Sequence, residues 1–230
     1  MVKEQLPLSF RWRHGIRFDD FVAGDHAALV HCLHDCAAGR GEQFVYLWGG
    51  AGAGKSHLLQ ATCQAAAERG VAVAYLPLAE LAAYGPEVLD GLEGLALVCV
   101  DDLQGVVGQP DWEEALFHFY NRLRAAQTTL VVAGESGPAA LPVGLADLRS
   151  RLSWGPVFRL EELNDVEKIA ALQLRAKARG FDLPDEVAQY LIRRSPRDMT
   201  SLFDLLDRLD RESLARQRRL TIPFVRTLIN

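Results

Sequence analysis

Residues 49–56 read GGAGAGKS, and Gly49, Gly54, Lys55 and Ser56 stand at the spacing G-x-x-x-x-G-K-[ST]. A chain that wraps a phosphate must turn successive backbone N–H groups inward, and glycine reaches those dihedrals without a Cβ clash. The run Gly49, Gly50, Ala51, Gly52, Ala53, Gly54, Lys55, Ser56 and His57 is therefore the expected cradle of a nucleotide. Lys55 would reach the β- and γ-phosphates, and the Ser56 hydroxyl would hold Mg²⁺. A helix starting near Ser56 would aim its positive end at the phosphates.

The flanks support this reading over a flexible Gly/Ala turn with a stray lysine. QFVYLWG precedes the loop as an apolar, β-branched and aromatic run, the pattern of a buried strand. HLLQATCQAAAERG follows with apolar residues at helical spacing and a terminating Gly70.

Outward from this unit, strands and helices alternate. FDDFVAGDHAALVHCLHDCAAG predicts a helix over 26–37 with Asp25 as its N-cap. VAVAYLPL at 71–78, LALVCVDD at 95–102, TTLVVAGES at 128–136 and VFRLEEL at 157–163 read as strands. EVLDGLEG is a short helix or turn, WEEALFHFYNRLRAAQ at 112–127 an amphipathic helix, and LADLRSRLSWG a short helix. The expected fold is α/β, a parallel sheet flanked by helices. From Asn164 the strand signal ends and four helical segments follow. Three regions result: an N-terminal arm at 1–17, an α/β nucleotide-binding domain at 18–163 and a small all-helical lid at 164–230.

LALVCVDD supplies the acidic partner of the loop. Asp101 would orient a Mg²⁺-bound water, and Asp102 would lie near the γ-phosphate and polarise the attacking water. Aspartate is shorter than the glutamate often found in that role, so slow intrinsic hydrolysis is expected. Two arginines are candidates for reading the γ-phosphate: Arg151 in RSRLSWG and Arg197 in SPRDM. From spacing alone, a surface ion pair is the commoner reading of each.

The composition sets bounds. The chain has 230 residues, 49% hydrophobic and 24% charged, with a net charge of −5, so it has no global bias toward nucleic acid. RRSPR at 193–197 and RQRRL at 216–220 are basic clusters that could touch DNA, although such arginines more often solvate helix ends. DNA contact is a secondary expectation. No apolar run approaches the ~20 residues of a membrane span, and the first residues lack a secretory pattern, so a cytoplasmic protein without membrane contact is expected. Cys32 and Cys36, beside His31 and His34, lack a second pair at zinc-ligand spacing.

The order FDDFVAG, GGAGAGKSHLLQA, LVCVDDLQ, RSRLSWG and a helical segment with Arg197 resembles the AAA+ ATPase of the bacterial replication initiator, DnaA. The resemblance covers about residues 16–230. It implies ADP or ATP with Mg²⁺ as ligand, and a base pocket lined by Phe18, Phe21 and Val22. It makes Arg151 an arginine finger acting across a subunit interface, and Arg197 the lid arginine that senses nucleotide. The family's head-to-tail interface also permits a homo-oligomer. The sequence departs from the initiator pattern at Glu135-Ser136, where that pattern has an acidic residue followed by arginine.

Two further features set the chain apart from a full initiator. The sequence reaches Asn230 directly after the helical segment, so a protein lacking the helix-turn-helix DNA-binding domain is expected, and QLPLSF at 5–10 resembles the motif that docks on the DNA polymerase sliding clamp. Gln5 would hydrogen-bond there, and Leu6, Leu8 and Phe10 would fill apolar pockets, an extended-peptide mode of recognition. A strand packed on its own domain is the alternative. AALQLRA at 170–176 and TIPFV at 221–225 add to the likeness. Together these features resemble the initiator-related proteins that inactivate DnaA once the clamp is loaded on DNA. The competing expectation is a DNA-dependent AAA+ ATPase that loads helicase or initiator, with Arg193, Arg194 and Arg218 on phosphates. A third is an adaptor whose nucleotide only sets its shape.

Overall fold

The computed structural model describes residues 16–196, 198–216 and 218–229. The arm residues Gln5, Leu6, Leu8 and Phe10 lie outside the described residues, as does Arg197. Five strands form one sheet: β1 (Phe44–Gly49), β2 (Val73–Pro77), β3 (Leu97–Asp101), β4 (Thr129–Gly134) and β5 (Val157–Leu160). Their order is β2-β3-β4-β1-β5 and every pairing is parallel. β3 is buried at every position, as a strand covered on both faces must be.

The helices around the sheet are α1 (Ala27–Ala37), α2 (Lys55–Ala67), α3 (Leu78–Leu81), α4 (Pro110–Ala125) and α5 (Ala146–Leu152). One apolar cluster joins α4, α5 and one face of the sheet through Phe119, Leu123, Val98 and Val132. The other joins α1, α2 and the opposite face through Leu33, Leu58, Cys99 and Val131. The helical region consists of α6 (Asp165–Ala178), α7 (Asp185–Arg194), α8 (Met199–Arg216) and α9 (Ile222–Ile229). It has its own core, in which Leu172, Leu191, Leu206 and Val225 are fully buried. α6 opens with a capping box: the Asn164 side chain accepts from the N–H groups of Val166 and Glu167, and Glu167 accepts from the Asn164 N–H.

Local details differ from the sequence expectation where a turn or a neighbour intervenes. Asp25 does not cap α1. A 3-10 turn over Gly24–His26, closed by His26 N–H to Ala23 O at 2.7 Å, places His26 at the cap position without a side-chain cap bond. The last strand stops at Leu160 rather than 163. Its neighbour β1 ends in the register pair Gly49–Leu160, after which the loop turns away and leaves no backbone to pair with. Leu78 leaves its strand to start α3.

Glu113 on α4 fixes how α5 is launched. This buried carboxylate accepts the backbone N–H groups of Gly108 (2.8 Å), Gly144 (3.1 Å) and Leu145 (2.7 Å). Burial raises its pKa, but the three N–H donors and Arg149 outweigh that, so the net shift is downward from 4.5. A carboxyl with a depressed folded pKa stabilises the fold above its ordinary value, and that contribution is lost as pH falls through the folded value. Glu113→Ala is expected to cost about 2 kcal/mol by removing a buried charged acceptor shared by three backbone donors. Glu113→Gln should flatten the acid limb of stability, and denaturant titrations between pH 7 and pH 3 measure both effects.

Candidate functional site

The carboxyl ends of β1, β3 and β4 converge on one side of the sheet. A cleft of about 760 Å³ opens there between the glycine loop and α8. Gly52, Gly54, Lys55, Ser56 and His57 form its floor, Tyr75, Glu80 and Asp102 one wall, and Arg175, Met199, Thr200 and Phe203 the lid side. Gly52 and Gly54 adopt φ of +75° and +96°, conformations that disfavour a side chain. A Cβ on Gly52 would lie 3.4 Å from the Met199 backbone nitrogen, so the loop and the start of α8 are in direct contact. A Cβ on Gly54 would lie 2.7 Å from the Phe21 ring.

Lys55 is 7% exposed, and its Nζ donates to the carbonyls of Gly49 (2.8 Å) and Gly50 (2.9 Å). The buried ammonium is held by loop carbonyls rather than by a carboxylate, which leaves it able to pair with an anion entering the cleft. The start of α2 has no side-chain cap, which leaves its first-turn N–H groups to a ligand. Gly49, Gly50, Ala51 and Ala53 carry the loop without facing the cleft. Gly49 is glycine because β5 approaches closely: a Cβ there would meet Leu160 O at 2.4 Å.

The two aspartates separate in role. Asp101 is fully buried and does not line the cleft, contrary to its expected place beside a metal-bound water. Its Oδ1 accepts the Asp102 N–H at 2.9 Å and its Oδ2 accepts the Tyr75 hydroxyl at 2.6 Å. A buried carboxylate needs such donors, and Tyr75 occupies the wall in its stead. The exposed Ser56 hydroxyl is the group of this pair that fits a cation directly. Asp102 does face the cleft, held in the left-handed region at φ 54°, with Gln104 Nε2 donating to its Oδ1 at 3.0 Å. Burial and then the neighbouring Asp101 raise its pKa, against Gln104 and Lys55, which suits a proton acceptor. Glu135 follows β4, is exposed and adds to that upward shift.

His57 is lowered in pKa by burial, with Arg175 adding to the effect against Arg17 and Asp20. Its Nε2 lies 2.9 Å from Arg17 O, and a carbonyl only accepts, so Nε2 carries the proton. The three residues expected to line a base pocket go to three places. Phe18 is buried under α1, 4.0 Å from the His34 ring, because that face of the core needs an aromatic filler. Phe21 lies on the loop at Gly54, with its ring 5.9 Å from that of His57. Val22 packs against the core of the helical region.

Arg151 is outside this cleft. Its guanidinium lies 4.0 Å from the Trp154 ring centre and 5.8 Å from that of Phe117, and its Nε is buried without a hydrogen-bond partner. Arg124 covers the same indole at 4.4 Å. Trp154 is 47% exposed, so this cation-bearing surface faces outward. Sequence reasoning missed Tyr75, Phe203 and Arg175. The strand pattern hid the first, and the helical period hid the other two.

The comparisons place these features among known proteins. Residues 165–229 match the family model described as Hda, lid domain. Domain III of the Thermotoga maritima replication initiation protein DnaA has the same fold, with a TM-score of 0.78 at 21% identity over 93% of this chain and 95% of that one. AMPPCP-bound DnaA from Aquifex aeolicus gives 0.73 at 21% identity over 87% and 66%. The Thermotoga maritima RuvB branch migration motor gives 0.65 at 16% identity over 94% and 72%. Among the described residues no helix is long and apolar enough to cross a membrane.

The cleft makes one direct prediction. Lys55→Ala should weaken ADP binding about a hundredfold, read by titration calorimetry. It should also remove the rise in melting temperature that ADP gives the unaltered protein.

Proposed function

We infer that this DnaA-like AAA+ protein, whose helical domain is an Hda lid, regulates the replication initiator DnaA. It binds an adenine nucleotide, ADP or ATP with Mg²⁺, in the cleft over Lys55. It presents Arg151 to ATP held by a neighbouring initiator and promotes hydrolysis there. The sliding clamp loaded on DNA is its second partner, engaged through Gln5, Leu6, Leu8 and Phe10.

The position of Arg151 carries this reading. The side chain does not line the chain's own cleft, and its guanidinium lies on the half-exposed Trp154, with the Nε itself buried. An arginine so placed can reach a phosphate only on another molecule, where it would neutralise charge developing on the transferring phosphoryl group. Glu113 supports that role by holding the turn from which α5 starts.

In its own cleft this chain hydrolyses ATP weakly or not at all. Asp101 is closed off by Tyr75, and the short Asp102 is left as the sole carboxylate of the pair facing the cleft. Mg²⁺ would be held by the Ser56 hydroxyl and the nucleotide itself, and it would supply charge neutralisation of the phosphates.

Hydrolysis of radiolabelled ATP already bound to DnaA tests the proposal. Stimulation is expected only when both this protein and clamp loaded on DNA are present. Arg151→Ala should lower the stimulated rate by about 10³-fold, the lower range for an arginine finger, while ADP and clamp binding persist. Removing residues 1–10 should abolish clamp binding and spare ADP binding. A strong ATPase of this protein alone on DNA, with no effect on DnaA, would favour the loader.

A further inference from the structure

Arg175, on α6, enters the nucleotide cleft from the lid side. Its guanidinium lies 4.6 Å from the centre of the Phe203 ring on α8. It is held there by a two-point fork, Nε to Asp207 Oδ1 at 3.2 Å and Nη2 to Asp207 Oδ2 at 3.0 Å. Phe203 and Asp207 are one helical turn apart, so α8 offers a platform and a carboxylate on one face.

Asp207 is shared. Arg179, one turn after Arg175 on the same chain path, places Nη2 2.8 Å from Asp207 Oδ2 and Nη1 3.3 Å from Asp210 Oδ2. Two arginines thus face two carboxylates, and Asp207 keeps a cationic partner even when Arg175 leaves. Departure of Arg175 then strands no buried charge, which would otherwise be the main obstacle to its movement.

The cleft also needs this cation. Its wall carries Glu80, Asp102 and Asp204 as carboxylates, and Lys55 and Arg175 are its lysine and arginine side chains among the described residues. Lys55 approaches from the loop side, bound to loop carbonyls. A polyphosphate entering from solvent therefore meets Arg175 as its counter-charge on the lid side. Arginine suits the role, since its planar fork pairs with phosphate as it does with carboxylate.

We propose that Arg175 is a nucleotide-binding residue that exchanges Asp207 for the nucleotide's phosphates while Arg179 retains Asp207, so that the lid is drawn onto the bound nucleotide. This rests on the cleft being a nucleotide site. Phe203 would keep the guanidinium plane oriented during the exchange.

ADP with Mg²⁺, titrated calorimetrically into the full chain, is the probe. Arg175→Ala should weaken binding about tenfold, and Arg175→Lys should fall between it and the unaltered protein because the charge stays and the fork is lost. Asp207→Asn should strengthen ADP binding several-fold, since it frees Arg175 from its internal competitor. A purely structural ion pair would instead make Asp207→Asn as harmful as Arg175→Ala, and that result overturns the proposal. So does an Arg175→Ala protein that binds ADP as the unaltered chain does. Failure of the unaltered chain to bind ADP would overturn the reading of the cleft itself, independently of Arg175.

Discussion

A lysine ammonium at 7% exposure, with loop carbonyls as its acceptors, is the constraint on which the rest of the molecule depends. Burying a cation is costly unless its donors are satisfied. Here the satisfaction comes from two consecutive carbonyls, so the chain must bend back over its own side chain between Gly49 and Lys55. That bend needs positive φ at Gly52 and Gly54, close approach to Leu160 at Gly49, and a helix that begins at Lys55 itself. The parallel sheet then supplies what a buried loop cannot: β4 and β3 lie beyond β1, so their carboxyl ends bring Glu135 and Asp102 to the same side.

The helical region meets this loop at the start of α8, where Met199 and Thr200 lie against Gly52. Its apolar core is separate from the two cores of the sheet, with Val22 and Leu163 packing against it from outside its helices. The Met199 nitrogen at the start of α8 abuts Gly52. A junction with little apolar burial opens at small free-energy cost, and a ligand that touches both sides shifts the balance by its difference in affinity for the open and closed forms. Of the arginine and aspartate side chains that pair between α6 and α8, Arg175 lines the cleft at that junction.

Much of the fold was legible because its signals are local. The glycine loop, the apolar strands and the disappearance of strand pattern after Leu163 are each read within about ten residues, and the sheet and the four lid helices formed where that pattern put them. The site was legible only in part. Lys55, Ser56, His57 and Asp102 meet in one cleft, because a motif fixes them relative to a single turn or to a strand end. Asp101 carries the same motif signal, yet its environment is decided by Tyr75 on the neighbouring strand, at a sequence distance no local pattern spans. Phe18 and Phe21 share a motif, and core packing sends them to different places. Arg175 was hidden for the same reason: its partners Phe203 and Asp207 lie a helix hairpin away, and in the helical period it reads as a solvated cation.

The arrangement keeps two sets of polar groups apart. Within the cleft are a phosphate cradle, a cation on each side and a proton-accepting carboxylate of raised pKa. Outside it, on α5, is an arginine lying on an indole with a donor left unpaired. An unpartnered guanidinium N–H is costly to keep buried. The nucleotide cleft and Arg151 therefore need not serve the same molecule of nucleotide. The first lies between the sheet and the helical region, and the second lies on α5 against a half-exposed indole. A turn clamped by Glu113 and an α5 of only two helical turns tie that arginine to the α/β core rather than to the helical region.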